Sequence, residues 1–167
     1  MSTADEVTVE AARDRISATG VAAAPPAVVF DILRRPANHQ AINGDDTVKG
    51  TLEGPELLEL GSRFGMRMRL GVPYRIHSKV TAYEPDHVIA WRHVGGHEWR
   101  WTLEPTADGQ STTITAQSAS RWTSAATSEP NSRPSIPWWW WPTTMALACR
   151  SFATSTISRA GSPGAHT

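Results

Sequence analysis

His93 and His97 sit four residues apart around a Gly95-Gly96 turn, and Tyr74 stands on an alternating segment upstream of them. These residue types suit proton transfer. A neutral imidazole can serve as a general base, and a phenol can donate a hydrogen bond to a developing enolate, as an aldol-type ring closure or a dehydration requires. The competing reading is that both histidines tip a hairpin in water and do no chemistry. The remaining histidines, His39, His77, His87 and His166, form no compact set with cysteines or paired carboxylates, so no metal site is expected. No glycine-rich phosphate loop, nucleophile elbow or recognisably spaced Cys-His pair occurs, so no cofactor is expected either.

Which of these side chains share a wall depends on the Gly95-Gly96 turn. A two-residue loop pairs Val94 with His97 and puts Arg92 on the face of Trp99. A three- or five-residue loop reverses the parity, so that His93 joins His97 and Trp91 joins Trp99. The longer loop gathers Ile89, Trp91, Trp99, Trp101 and Leu103 on one side and Arg92, Glu98, Arg100 and Glu104 on the other. That separation of apolar from charged residues favours the second register.

The elements that hold this hairpin are legible in outline. Arg15 to Val21 reads as an edge strand. Pro25 and Pro26 open a helix expected over Pro26 to Arg35, with Val29, Phe30, Ile32 and Leu33 on its apolar face, and Pro36 ends it. A polar bend follows from Asn38 to Asp46. Phe64, Met66, Met68 and Leu70 then alternate with Arg63, Gly65, Arg67 and Arg69, which is a strand with one buried face. After Gly71, the segment from Tyr74 through Ile76, Ser78 and Val80 to Ala82 is its hairpin partner. With Thr47 to Thr51, Val88 to Val94, Glu98 to Glu104 and Ser111 to Gln117, the order is strand, helix, bend and six antiparallel strands. One short helix cannot cover such a sheet, which must therefore curl and receive a second cover.

The run Gly61-Ser62-Arg63-Phe64-Gly65-Met66-Arg67-Met68-Arg69-Leu70-Gly71-Val72-Pro73-Tyr74-Arg75-Ile76 carries a family resemblance, together with Tyr83-Glu84-Pro85-Asp86 and the stretch from Ile89 to Trp101. Over roughly residues 13 to 117 the chain resembles the SRPBCC (START-like) superfamily, and within it the polyketide cyclase/dehydrase and lipid-transfer group of bacterial proteins. The resemblance implies an α+β helix-grip fold: a curved antiparallel sheet of about seven strands wrapped around a long C-terminal helix, with a ligand cavity between. Val29, Phe30, Leu33, Phe64, Met66, Met68, Leu70, Ile76, Trp91, Trp99 and Trp101 would then line the cavity. By the same analogy His39, Asn43 and Asp45 would stand at its mouth. Each lining residue has an alternative reading as ordinary packed core.

At 167 residues the chain is the size of one domain, and its 16 basic and 16 acidic residues cancel. Zero net charge removes the usual electrostatic reason to expect nucleic acid or an anionic membrane as partner, and Arg63, Arg67, Arg69 and Arg75 read as a solvated outer face without interleaved aromatics. Lone Cys149, the lack of an export signal in residues 1–12 and the lack of a bilayer-length apolar run lead to an expectation of a cytoplasmic monomer or homodimer without stable membrane insertion. Residues 1–12 are expected to form a flexible lead-in.

From about Ala116 the composition changes: valine, tyrosine, lysine and aspartate vanish, and prolines at 130, 134, 137, 142 and 163 interrupt any helix. The resemblance places its longest helix here. Trp138 to Trp141 require four UGG codons, which read as glycine or valine repeats in the other frames. With 14 arginines against 2 lysines, as in GC-rich coding sequence, this points to a reading-frame shift between about Thr112 and Trp122. On that reading the tail from 118 is disordered; the alternatives are a short helix near 143–153 and, ranked last because no basic amphipathic helix accompanies it, an interfacial membrane anchor at the tryptophans.

Three functions follow from these readings. The first is binding or transport of a small hydrophobic ligand, lipid- or polyketide-like. The second is a cyclase or dehydratase using His93, His97 or Tyr74 as acid and base, without metal or nucleotide. The third is an inactive, frame-shifted member of the family.

Overall fold

The computed structural model describes residues 7–12, 15–43, 48–93, 96–120 and 154–160. Its frame is one curved sheet of eight antiparallel strands. These are β1 (Thr8–Ala11), β2 (Arg15–Ala22), β3 (Val48–Glu53), β4 (Arg63–Leu70), β5 (Val72–Glu84), β6 (Val88–His93), β7 (His97–Pro105) and β8 (Thr112–Ser120). They lie in the order β1-β2-β8-β7-β6-β5-β4-β3. The six-strand meander expected from the alternating segments is therefore β3 to β8.

β2 closes the meander by pairing with β8 from Arg15 opposite Ala119 to Ala22 opposite Thr112. Its other side is taken by β1, so β2 is an interior strand and not the expected edge. Thr8–Ala11, within the segment expected to be flexible, supplies that partner through its own backbone groups. The inward residues of β2 are small: Ala18 and Ala22 are completely buried.

α1 (Pro26–Leu33) starts at a proline, whose fixed φ and missing N–H suit a helix's first turn, and it buries Val29, Phe30, Ile32 and Leu33. It stops two residues short of Arg35 because Pro36 forces the residue before it out of the helical region, and Arg35 is extended at φ -100°, ψ 106°; Arg34 and Arg35 pair with Asp31 of the last turn at 2.7 and 2.9 Å. That pairing lowers the Asp31 carboxyl below its ordinary range, mainly through the Arg35 hydrogen bond. The bend expected next is a 3-10 turn (Pro36–Asn38) running into α2 (His39–Ile42), which buries Ile42. Gly44 and Asp45 lie outside the described residues.

α3, residues 154–160, places Ile157 and Ala160 in the same apolar core. Arg159 donates to Asn38 Oδ1 at 3.2 Å, which ties α3 to the 3-10 turn. Regular alternation continues through β8, where Thr112, Ile114, Ala116 and Ser118 are all buried. The sheet thus persists past Gln117, with Thr112–Ser120 paired to β7. The Trp138–Trp141 run and the candidate helix at 143–153 lie outside the described residues.

Gly54 shows how tightly β3 and β4 are joined. Its φ is 133°, a conformation other residues rarely adopt, and a Cβ there would stand 2.7 Å from the Cβ of Phe64. Gly54→Ala is expected to lower unfolding stability by roughly 2 kcal/mol through strain and displacement of Phe64. Urea unfolding of the variant checks this; an unchanged midpoint would contradict the close approach.

Candidate functional site

Antiparallel pairing lays the inner face out in rows. One row runs Val80, Trp91, Trp99, Ser118, Ile16 across five strands, and all five are buried. The next row toward the β4–β5 turn contains Phe64, Ser78 and His93, with His97 facing His93 across the β6–β7 turn. Beyond His93, β6 ends, while β4 and β5 continue as Met66–Ile76, Met68–Tyr74 and Leu70–Val72. Met68 and Ile76 are half-buried, and Val72 is 72% exposed. The inner face therefore passes from closed core, through a polar row, to an open apolar arm.

Trp91 pairs with Trp99 and Arg92 with Glu98, which is the longer-loop register. Arg92 and Arg100 share Glu98 on the outer face at 2.6 and 3.5 Å, while His93 and His97 turn inward. The imidazoles stack with centroids 5.9 Å apart and planes 7° from parallel. Each has a serine partner: Ser78 Oγ lies 2.6 Å from His93 Nδ1, and Ser118 Oγ lies 2.9 Å from His97 Nε2. Ser78 and Ser118 are the site residues that sequence reasoning missed. Their signal was a hydroxyl at an inward position of an otherwise apolar alternation.

Burial pushes both imidazoles down to about 4, and the neighbouring His93 lowers His97 further. Near pH 7 both rings are neutral, each with one donor and one acceptor nitrogen. Two serine hydroxyls and two neutral rings can orient a carbonyl or hydroxyl group. As bases of pKa about 4 they are weak, so their geometry serves hydrogen bonding better than proton abstraction from carbon.

Three expected placements need correction. Tyr74 is four residues beyond Ser78 on β5, ~13 Å along the strand at about 3.3 Å per residue, and is 43% exposed. It does not converge with the histidines. His39 is only 3% exposed and stands inside the core instead of at a mouth. Its Nε2 bonds the Leu33 carbonyl at 2.8 Å, and its ring stacks on Trp91 with centroids 4.9 Å apart. Asn43 is likewise buried, and Asp45 falls outside the described residues.

Within the candidate lining, Val29, Phe30, Leu33, Phe64, Met66, Trp91 and Trp101 are packed in the core cluster, where α1 meets the sheet. Trp99, Ile76 and Met68 are the described lining residues nearest the polar row and the open arm. The side chain of Leu70 is outside what is described. A shallow depression of about 250 Å³ lies on the opposite, outer face and is lined by Arg15, Glu98, Arg100, Gln117 and Ala119. It is polar and distinct from the inner wall.

The family described as polyketide cyclase / dehydrase and lipid transport matches residues 13–140. The uncharacterized protein Rv0088 of Mycobacterium tuberculosis is 42% identical over 97 residues, which are 58% of this chain and 43% of that protein. The match thus spans less than half the length of this relative. Among solved structures, the Zhui aromatase/cyclase from a Streptomyces species has a TM-score of 0.64 at 13% identity, covering 87% of this chain and 92% of that one. Protein CV1439 from Chromobacterium violaceum also reaches 0.64, at 15% identity, covering 90% and 99%. These likenesses establish the helix-grip type of fold. With its sheet closed by β2 on β8 and its inner face covered by α1, the chain belongs to the polyketide cyclase / dehydrase and lipid transport family.

Proposed function

We propose that the inner face binds a small hydrophobic molecule with one polar end, lipid- or polyketide-like. The observation that supports this most is the polar set of Ser78, His93 and His97 with Ser118 bonded to His97 from the adjoining row, at the boundary between dry core and the half-buried arm of Met68 and Ile76. A ligand's hydroxyl or carbonyl would meet the row, and its apolar body would follow the arm, removing apolar surface from water at about 25 cal/mol per Å². This role uses the rings as neutral hydrogen-bonding groups, the state in which burial holds them.

Calorimetric titration with lauric acid and with 1-naphthol tests the proposal. At least one should bind saturably at one site, and Ser118→Ala should weaken it about fivefold, the effect of one hydrogen bond worth about 1 kcal/mol. Binding that ignores Ser118→Ala and Ser78→Ala would place the ligand elsewhere.

A second reading keeps the stacked Ser-His pairs as acid and base in ring closure or dehydration. Tyr74 has no part in it at its distance. Its signature would be a rate independent of pH from about 5 to 8, since a base of pKa about 4 is already deprotonated throughout that range.

A further inference from the structure

The outer face of the β4–β5 arm faces its own charges. Arg67 is directly opposite Arg75, and Arg63 is directly opposite Lys79. Arg69 extends the field toward the turn at Gly71, and all five cations are exposed. Like charges in register across two strands destabilise a sheet unless something anionic covers them. Among the described residues, Glu53 is the carboxylate that enters this field, crossing Gly65 to meet His77 at 2.9 Å between the two like-charge pairs, while Glu98 holds Arg92 and Arg100, so the cations outnumber the carboxylates there.

The tip of the same arm is apolar. β6 pairs with β5 only as far as Ser78, so residues 72–77 pair with β4 alone among the described strands. Gly71, at φ 73°, makes the tight reversal, and Val72 and Tyr74 follow it at 72% and 43% exposure. From the turn inward the arm presents Val72, then Arg69, then Tyr74, then Arg67 beside Arg75, with Val72 and Tyr74 on its inner face and the arginines on its outer face; an aliphatic tip with tyrosine and arginines behind it suits a lipid interface, where hydrocarbon gives way to headgroups and phosphate. An acidic protein or a nucleic acid would complement the charges but leave Val72 wet, and no ladder of aromatics offers bases a stacking platform.

We propose that the β4–β5 arm docks peripherally on anionic lipid bilayers, with Val72 at the hydrocarbon boundary and Arg67, Arg69 and Arg75 on the headgroups. This surface is independent of what the inner face binds, so its failure leaves the ligand proposal standing. The arm sits at the open end of the inner face, so docking would bring lipid next to Met68 and Ile76.

Cosedimentation of the 167-residue chain with phosphatidylcholine vesicles, with and without about 30% phosphatidylserine, provides the test. Binding should require phosphatidylserine and fall steeply with salt. The double variant Arg67→Gln, Arg75→Gln should bind roughly 25-fold more weakly, at about fivefold per arginine, while its thermal midpoint holds or rises as the like-charge pair is relieved. Val72→Asp should also release the protein. Equal partition onto neutral vesicles, or a double variant that folds and still binds fully, would overturn the proposal. So would stronger binding to single-stranded RNA or polyglutamate than to the anionic vesicles.

Discussion

Lowering the pH from 6.5 toward 4 should remove most or all of the folding free energy, much of it by about pH 5, before carboxylate protonation becomes general. Burial pushes His39, His93 and His97 each to about 4 from an ordinary 6.5, with the Leu33 carbonyl opposing the shift at His39. The unfolded chain therefore binds protons at these rings through a pH range where the folded chain does not, and stability falls as pH falls. Above 6.5 both states carry neutral rings and this dependence vanishes. A shift of this size corresponds to roughly 3 kcal/mol per ring, or roughly 10 kcal/mol for three, against a typical domain stability of about 5–15 kcal/mol. Urea midpoints at pH 7.5, 6.0 and 5.0 check it: the slope between 6.0 and 5.0 should approach three protons, and His39→Gln should remove about one. A pH-independent midpoint would mean that the rings are not buried as neutral groups.

Trp101→Ala is expected to cost about 3–5 kcal/mol, the range for emptying the site of a large core aromatic. Trp101 is completely buried on β7 between Ile89 of β6 and Ala116 of β8, and its ring lies 6.5 Å from Trp91. Trp91 in turn stacks on His39 and meets Phe64 edge-on, so the cavity would loosen the contact between sheet and α2. Chemical unfolding measures the loss, and Trp101→Phe should retain more of it. A loss below about 1 kcal/mol would show that the cluster repacks around the gap.

Much of the sheet was legible because a period of two is a local property. Phe64, Met66 and Met68 alternate with exposed arginines, and the charge pattern around Gly95-Gly96 selected the register that pairs Trp91 with Trp99. What the text concealed was non-local. Nothing within Thr8–Ala11 reveals that β2 will accept it, and nothing around Ser118 reveals that β8 will bring it within 2.9 Å of His97. His39 read as a solvated bend residue because its polarity is obvious while its satisfaction is not: the Leu33 carbonyl and the Trp91 ring belong to other elements. Tyr74 shares the correct face with Ser78, yet parity says nothing about distance along the strand. The frame-shift reading places the change between about Thr112 and Trp122 and concerns the whole tail after it; a peptide mass map of the Trp138–Trp141 segment decides it.

The central claim is that the polar row and open arm of the inner face hold a small apolar molecule. Native mass spectrometry of the protein purified from its own host tests this most directly. The expected spectrum shows a one-to-one noncovalent adduct of a lipid- or polyketide-sized mass that disappears on denaturation. The bare chain mass alone, unchanged after incubation with lauric acid or 1-naphthol, would contradict the account.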